Sequence, residues 1–181
     1  LLEMYREGGW LPKWPNPGYT GIMVGAPAEV VLAEAYVKGF RGFDLDLAYE
    51  AVRKNATVPQ AGDATCNWAD RGEFGRTPET RGGLSWYMKL GYVPCDKVRE
   101  SVSRTQDFAL ADAAAAILAE ATGHADDAAS FRARSKSYTN LWNAAAGEFQ
   151  PRDSQGKWGD PQNWRHFTEQ DHQTAKWCIQ H

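Results

Sequence analysis

Residues 101–123 read SVSRTQDFALADAAAAILAEATG, and this stretch decides the fold class. Phe108, Ala111, Ala115 and Leu118 recur at helical spacing and mark one face. The spacing predicts a helix from near Ser101 to Gly123, with Asp96 or Ser101 as the cap. The run Ala113–Ala116 has little side-chain bulk, so other helices can approach closely. Downstream, Asp126 and Asp127 open a further helix, where negative charge suits the positive end of the helix dipole. Its predicted apolar line is Phe131, Tyr138, Leu141 and Ala145, with Arg132, Arg134 and Lys136 solvated and Gly147 as the stop.

The same reading extends upstream. A short helix over residues 84–90 ends at Gly91, and Pro94 follows as a stop signal. Ala26-Pro27 starts a helix with proline at its first position. Val30, Ala33, Val37 and Phe40 follow at helical spacing, and Val31, Leu32 and Ala35 widen the apolar surface. This predicts a largely buried helix bracketed by Gly39 and Gly42. Asp44 is the expected N-cap of the next helix, which runs to about Asn55. The short link predicts that these two helices are antiparallel neighbours. Strand signals are weak: Thr57-Val58 stands alone and is stopped by Pro59. Residues 57–80 form a long polar loop, a length that in a compact domain marks function or flexibility. The expectation is an all-α chain of paired helices. Periodicity alone leaves an α/α toroid and an ordinary bundle equally open.

Composition narrows the function. A chain of 181 residues can bury one substantial core. Its net charge of -3, with Lys and Arg scattered, argues against a nucleic-acid partner. No run of about 18 apolar residues exists to cross a membrane as a helix. The sequence carries no signal-peptide pattern. Cys66, Cys95 and Cys178 lack metal-type spacing; ordinary buried thiols and one disulfide both remain open. Asp44, Asp46, Asp63, Asp70, Asp153 and Asp160 show no EF-hand pattern, and His124, His166, His172 and His181 show no HExxH spacing.

The chain has eight tryptophans, and Trp10, Trp14, Trp68, Trp158 and Trp164 lie in loops rather than in periodic segments. A flat apolar ring suits the C–H face of a pyranose, so each is a candidate sugar platform; each can equally plug a loop onto the domain. The Gly8–Gly25 stretch holds Gly8, Gly9, Gly18, Gly21 and Gly25 with Pro12, Pro15 and Pro17, which excludes a helix. With Trp10, Trp14, Asn16 and Tyr19 it suits the lining of a sugar pocket, or a plain crossover between helices.

Three sets of residues carry a resemblance. The first is Gly9-Trp10-Leu11-Pro12-Lys13-Trp14, then Tyr19-Thr20-Gly21-Ile22-Met23-Val24-Gly25, then Ala35-Tyr36-Val37-Lys38-Gly39. The second is Leu90-Gly91-Tyr92-Val93-Pro94, followed by Ser101-Val102-Ser103-Arg104-Thr105 and Asp107. The third is Pro151-Arg152, Gly156-Lys157-Trp158 and Phe167-Thr168-Glu169. In this order they resemble the catalytic domain of glycoside hydrolase family 92, a family of calcium-dependent exo-acting α-mannosidases. The resemblance implies part of an (α/α)6 toroid over residues 1–181, without the family's N-terminal β-sandwich and the C-terminal part of its toroid. It implies inverting hydrolysis of terminal α-mannosides, calcium as cofactor, α-mannoside glycans as partners, and a secreted or periplasmic setting.

By position the resemblance makes Glu169 the general acid, because the departing sugar oxygen must be protonated. Taken alone, Thr168-x-x-Asp171 also reads as a variant helix capping box. Trp10, Trp14 and Tyr19 are the expected sugar platform, and no calcium ligand is assigned. Asp107 stands where the family has a glutamate, either shaping the site or as a solvated or helix-bonded carboxylate. Gln170–Ala175 departs from the family's Gly-Asn-Ala-Trp-Gln-Tyr. That departure keeps open a divergent glycan-binding member without catalysis, and a toroid glycosidase with another sugar specificity.

Overall fold

The computed structural model describes residues 1–15, 18–20, 24–65 and 81–159. Among them run six α-helices: α1 Leu2–Gly8, α2 Pro27–Val37, α3 Leu45–Thr57, α4 Leu84–Leu90, α5 Ser101–Ala121 and α6 Ala125–Arg134. Strands among the described residues are minimal. β1 Trp14–Pro15 pairs antiparallel with β2 Tyr19–Thr20, and β3 Trp142–Asn143 pairs with β4 Glu148–Phe149. The mostly helical expectation therefore holds.

Helix α5 is the centre of the fold, and α2, α3 and α6 all pack on it. The cause is its alanine content: Ala111, Ala114, Ala115, Ala116 and Ala119 are all buried and let neighbouring backbones come close. Leu32, Tyr49, Val52, Leu118 and Phe131 fill the main core. A second cluster joins Leu84, Tyr87, Val93, Val98 and Phe108 beneath α4, with the Tyr87 and Phe108 rings edge to face at 5.6 Å. Burying each such side chain fully contributes about 1.5–3 kcal/mol.

Several local expectations hold and others need correction. Asp44 caps α3 by accepting from the Leu47 amide at 3.0 Å, and α4 stops at Gly91, whose φ is 74°. Helix α2 is not largely buried. Its inner stripe is Ala28, Glu29, Leu32 and Ala33, while Val31 and Val37, with Phe40 just past its end, are exposed. Helices α2 and α3 each pack on α5 more than on each other. The cap of α5 is neither Asp96 nor Ser101 but Glu100, held at a φ of 56° with no capping bond from its side chain. The segment after Asp126 does not continue as one helix to Gly147. It breaks after Arg134 into a short 3-10 turn, Ser137–Leu141, and then the β3–β4 hairpin. There the Asn143 side chain accepts from the amides of Ala145 and Ala146, and Gly147 takes a φ of 69°. An Asx turn followed by a left-handed glycine competes with helix and wins.

A buried charge network ties the helices together. Arg81 places its guanidinium between Glu29 on α2 and Asp112 on α5, and all three are essentially inaccessible to solvent. Its Nε donates to Glu29 Oε1 at 3.1 Å, and its Nη1 to Asp112 Oδ1 at 2.7 Å. Arg134 of α6 donates to both Asp112 oxygens at 2.6 Å and to the Ala56 carbonyl at 2.7 Å. The Tyr87 hydroxyl donates to Asp112 Oδ2 at 3.0 Å. Arg134, expected to be solvated, is instead half-buried and bonded into this network. Burial alone would lower the Arg81 pKa, but the two carboxylates outweigh it and raise it. Burial pushes Glu29 upward despite the opposing guanidinium.

Candidate functional site

The Gly8–Gly25 stretch is a fastened structure where it is described. Gly9, at a φ of 77°, ends α1. Leu11 is fully buried and Lys13 is only 4% exposed. The Tyr19 hydroxyl lies 2.6 Å from the Trp10 carbonyl and 2.7 Å from the Met4 carbonyl, so its proton ties the β1–β2 turn back to α1. Its ring covers Gly8, where any Cβ would collide with it. From α3, Lys54 donates to the Gly9 carbonyl at 2.6 Å and sits 4.6 Å over the Trp10 ring.

The three expected platform residues are therefore held differently. Trp10 is half-buried with the Lys54 ammonium over its ring, and Tyr19 has its hydroxyl engaged by the backbone. Trp14 is the open one, at 42% exposure. Trp158 is 37% exposed and carries the Arg152 guanidinium 4.6 Å over its ring. Glu169 lies outside the described residues, as do Asn16, Trp68, Trp164, Cys66 and Cys178. Cys95 is buried.

The end of this stretch meets α5 at Asp107. Val24, Gly25, Ala26, Pro27, Val30 and Val31 face Asp107 and Leu110 across a cleft of about 230 Å³. Gly25, at a φ of 100°, comes so close that a Cβ there would stand 3.1 Å from Asp107 Oδ2. Only glycine combines that backbone with that approach. Asp107 is thus half-buried against the loop and not a solvated acid. Desolvation pushes its pKa up to about 6, although Lys13 and Arg104 pull it down. Two stretches picked out separately in the sequence, the glycine-rich loop and the Asp107 position, are joined here.

The sign of this shift gives a stability prediction. The folded pKa lies above that of a free aspartate, so the folded state keeps its proton longer. That contribution is fully present below about pH 4 and is lost as pH rises through about 6. Asp107→Asn is therefore expected to be about 1–3 kcal/mol more stable than the parent at pH 7.5, with the gap closing towards pH 4. Denaturant midpoints at both pH values check this; a variant no more stable at pH 7.5 would refute the desolvation account.

Among the described residues no three His, Cys, Asp or Glu side chains converge as a metal site. Asp63, for example, is spent on structure: its carboxylate accepts from the Ser85 amide at 2.8 Å and its carbonyl from Gly83 at 2.9 Å. His124 stacks on Tyr49 at 4.1 Å.

Comparison with known proteins gives the class. The glycosyl hydrolase family 92 catalytic domain matches residues 1–181, so the chain belongs to that family. A protein of Arthroderma benhamiae described as an uncharacterized secreted glycosidase is 32% identical over 88% of this chain, which spans 22% of that relative. A family 92 inverting mannosidase of Bacteroides thetaiotaomicron superposes with a TM-score of 0.76 at 31% identity, over 88% of this chain and 20% of that one. An α-mannosidase of the same organism, also solved with mannoimidazole bound, is 34% identical with a TM-score of 0.69, over 84% and 18% of the two chains. The chain thus spans about a fifth of the length of the relatives it matches.

Proposed function

We propose that these residues act within a longer enzyme that hydrolyses terminal α-mannosidic bonds of glycans with inversion. The observation that carries this reading is the family membership over the whole 181 residues, together with likeness above 30% identity to two solved mannosidases. The short share of each relative that is covered supports further domains and a toroid completed by other helices. The relative described as secreted supports an extracellular setting.

Glu169 is the proposed acid. Its carboxyl proton passes to the glycosidic oxygen as the bond to the anomeric carbon breaks. Water attacks the opposite face of that carbon while a second carboxylate takes its proton, releasing β-mannose and the free alcohol. Inversion requires the two carboxyls about 6.5–9.5 Å apart, leaving room for the water. The base is proposed to come from a part of the enzyme outside these residues. Trp10, Trp14 and Tyr19 are the proposed sugar platform, with Trp14 the most exposed of the three. Calcium is proposed as the cofactor, bound through oxygen ligands outside the described residues.

The test is mannose release from α-1,2-linked mannobiose by the longest natural chain that carries these residues. Release is expected with calcium, a loss of at least tenfold with chelator, and recovery on adding calcium back. Release indifferent to chelator would remove calcium from the reading. A folded protein that binds mannosides without releasing mannose would favour a second reading, a glycan-binding member without turnover. The substituted residues Gln170–Ala175 are the observation in its favour.

A further inference from the structure

Successive turns of α3 grip the segment that carries Trp10. Glu50 accepts from the Tyr5 hydroxyl at 2.8 Å. Lys54, four residues on and so on the same helix face, donates to the Gly9 carbonyl at 2.6 Å. Its ammonium stands 4.6 Å from the centre of the Trp10 ring and 5.7 Å from that of Tyr5. Both lie within the roughly 6 Å reach of a cation–π contact. The backbone of Trp10 is pinned separately: its carbonyl and amide lie 2.6 and 3.4 Å from the Tyr19 hydroxyl, and Leu11 beside it is fully buried.

A lysine in the last turn of a helix ordinarily serves the negative end of the helix dipole. Lys54 is such a residue, yet its ammonium reaches across to a different segment. Pinning the backbone fixes where Trp10 is, not how its ring is turned, since the indole still rotates about its side-chain bonds. A cation held over one face of the half-buried ring removes that freedom. It also leaves only the opposite face for a flat ligand. A ring already turned costs less to order when something stacks on it.

We propose that Lys54 is a positioning residue for hydrolysis: from one face of the Trp10 indole it sets the tilt of the ring, so that the ring meets the substrate already ordered. Lys54 itself touches no substrate and acts only through Trp10. This rests on the mannosidase reading and on the place of Trp10 in its sugar platform.

The test is steady-state hydrolysis of α-1,2-linked mannobiose by the longest natural chain that carries these residues. The parent is compared with Lys54→Met, Lys54→Arg, Trp10→Leu and the double variant Lys54→Met with Trp10→Leu. Methionine keeps most of the side-chain length and removes the charge. Lys54→Met is expected to raise KM about three- to tenfold, the cost of one ring left to be ordered on binding, with kcat within about twofold of the parent. Lys54→Arg restores a cation over the ring and is expected to keep both constants close to the parent's. The double variant is expected to share the KM of Trp10→Leu alone, because the two residues act as one unit. A fall in kcat at unchanged KM, together with a lower Tm, would make Lys54 a fastener of the fold and overturn the proposal. Additive rises in KM would overturn it too, as would a Lys54→Met or Trp10→Leu variant whose KM is no higher than the parent's. In each of these cases mannose release by the parent leaves the mannosidase reading standing. A parent that releases no mannose ends that reading, and the role of Lys54 with it.

Discussion

Arg81→Met is expected to lower the stability of the fold by about 3–5 kcal/mol, the usual cost of stranding a buried charge. The substitution keeps much of the side-chain volume and removes the guanidinium. Asp112 would still have Arg134 and the Tyr87 hydroxyl, so the damage falls on Glu29, which is fully buried and accepts from Arg81. Glu29 would have to take a proton or draw in water. The double variant Glu29→Leu with Arg81→Met removes the stranded charge and is expected to recover much of the loss, as replaced buried ion pairs often do. Denaturant unfolding of the two variants decides the matter. A single variant less than about 1 kcal/mol below the parent would mean that the pair is as weak as an exposed one.

Glu169→Gln is expected to cut mannose release from mannobiose by about 10²–10⁴-fold, the range for losing a positioned general acid. Glutamine keeps the size and hydrogen-bonding reach but holds no transferable proton. The loss should appear in kcat with little change in KM, because binding does not need the proton. An aryl mannoside such as 4-nitrophenyl α-mannoside leaves without much protonation, so the same variant should keep far more of its activity on that substrate. Equal losses on both substrates would point to misplacement of the segment instead of a missing acid. Retention of more than a tenth of the activity on mannobiose would remove Glu169 from the role.

Helix positions were readable from the sequence because their signals are local. Pro27 at the start of α2, Asp44 at the cap of α3 and Gly91 after α4 act within one turn of themselves. Burial was less readable. The pattern of α2 suggested an apolar cylinder, yet the inward stripe includes Glu29, whose place depends on Arg81, 52 positions away. One clue was present: Asp112 falls four residues after Phe108 and three before Ala115, on the apolar face of α5. An acid there demands a buried cation, and Arg134 and Arg81 supply it. The break after Arg134 is hidden in the sequence, because the apolar spacing of Phe131, Tyr138 and Leu141 mimics a continuing helix. The turn made by Asn143 and Gly147 overrides it. For the candidate site, the loop and Asp107 were each legible, but their meeting at Gly25 is a tertiary fact.

Helix α5 also works as a keyed shaft. Asp112, locked to two arginines, lies five positions along from Asp107, which faces the cleft from another side of the same cylinder. The helix cannot turn about its axis without breaking the lock, so the azimuth of the cleft carboxylate is set by residues that do not line the cleft. Substitutions at Val31, Leu110 or position 107 can then reshape the cleft while the orientation of that face of α5 stays fixed.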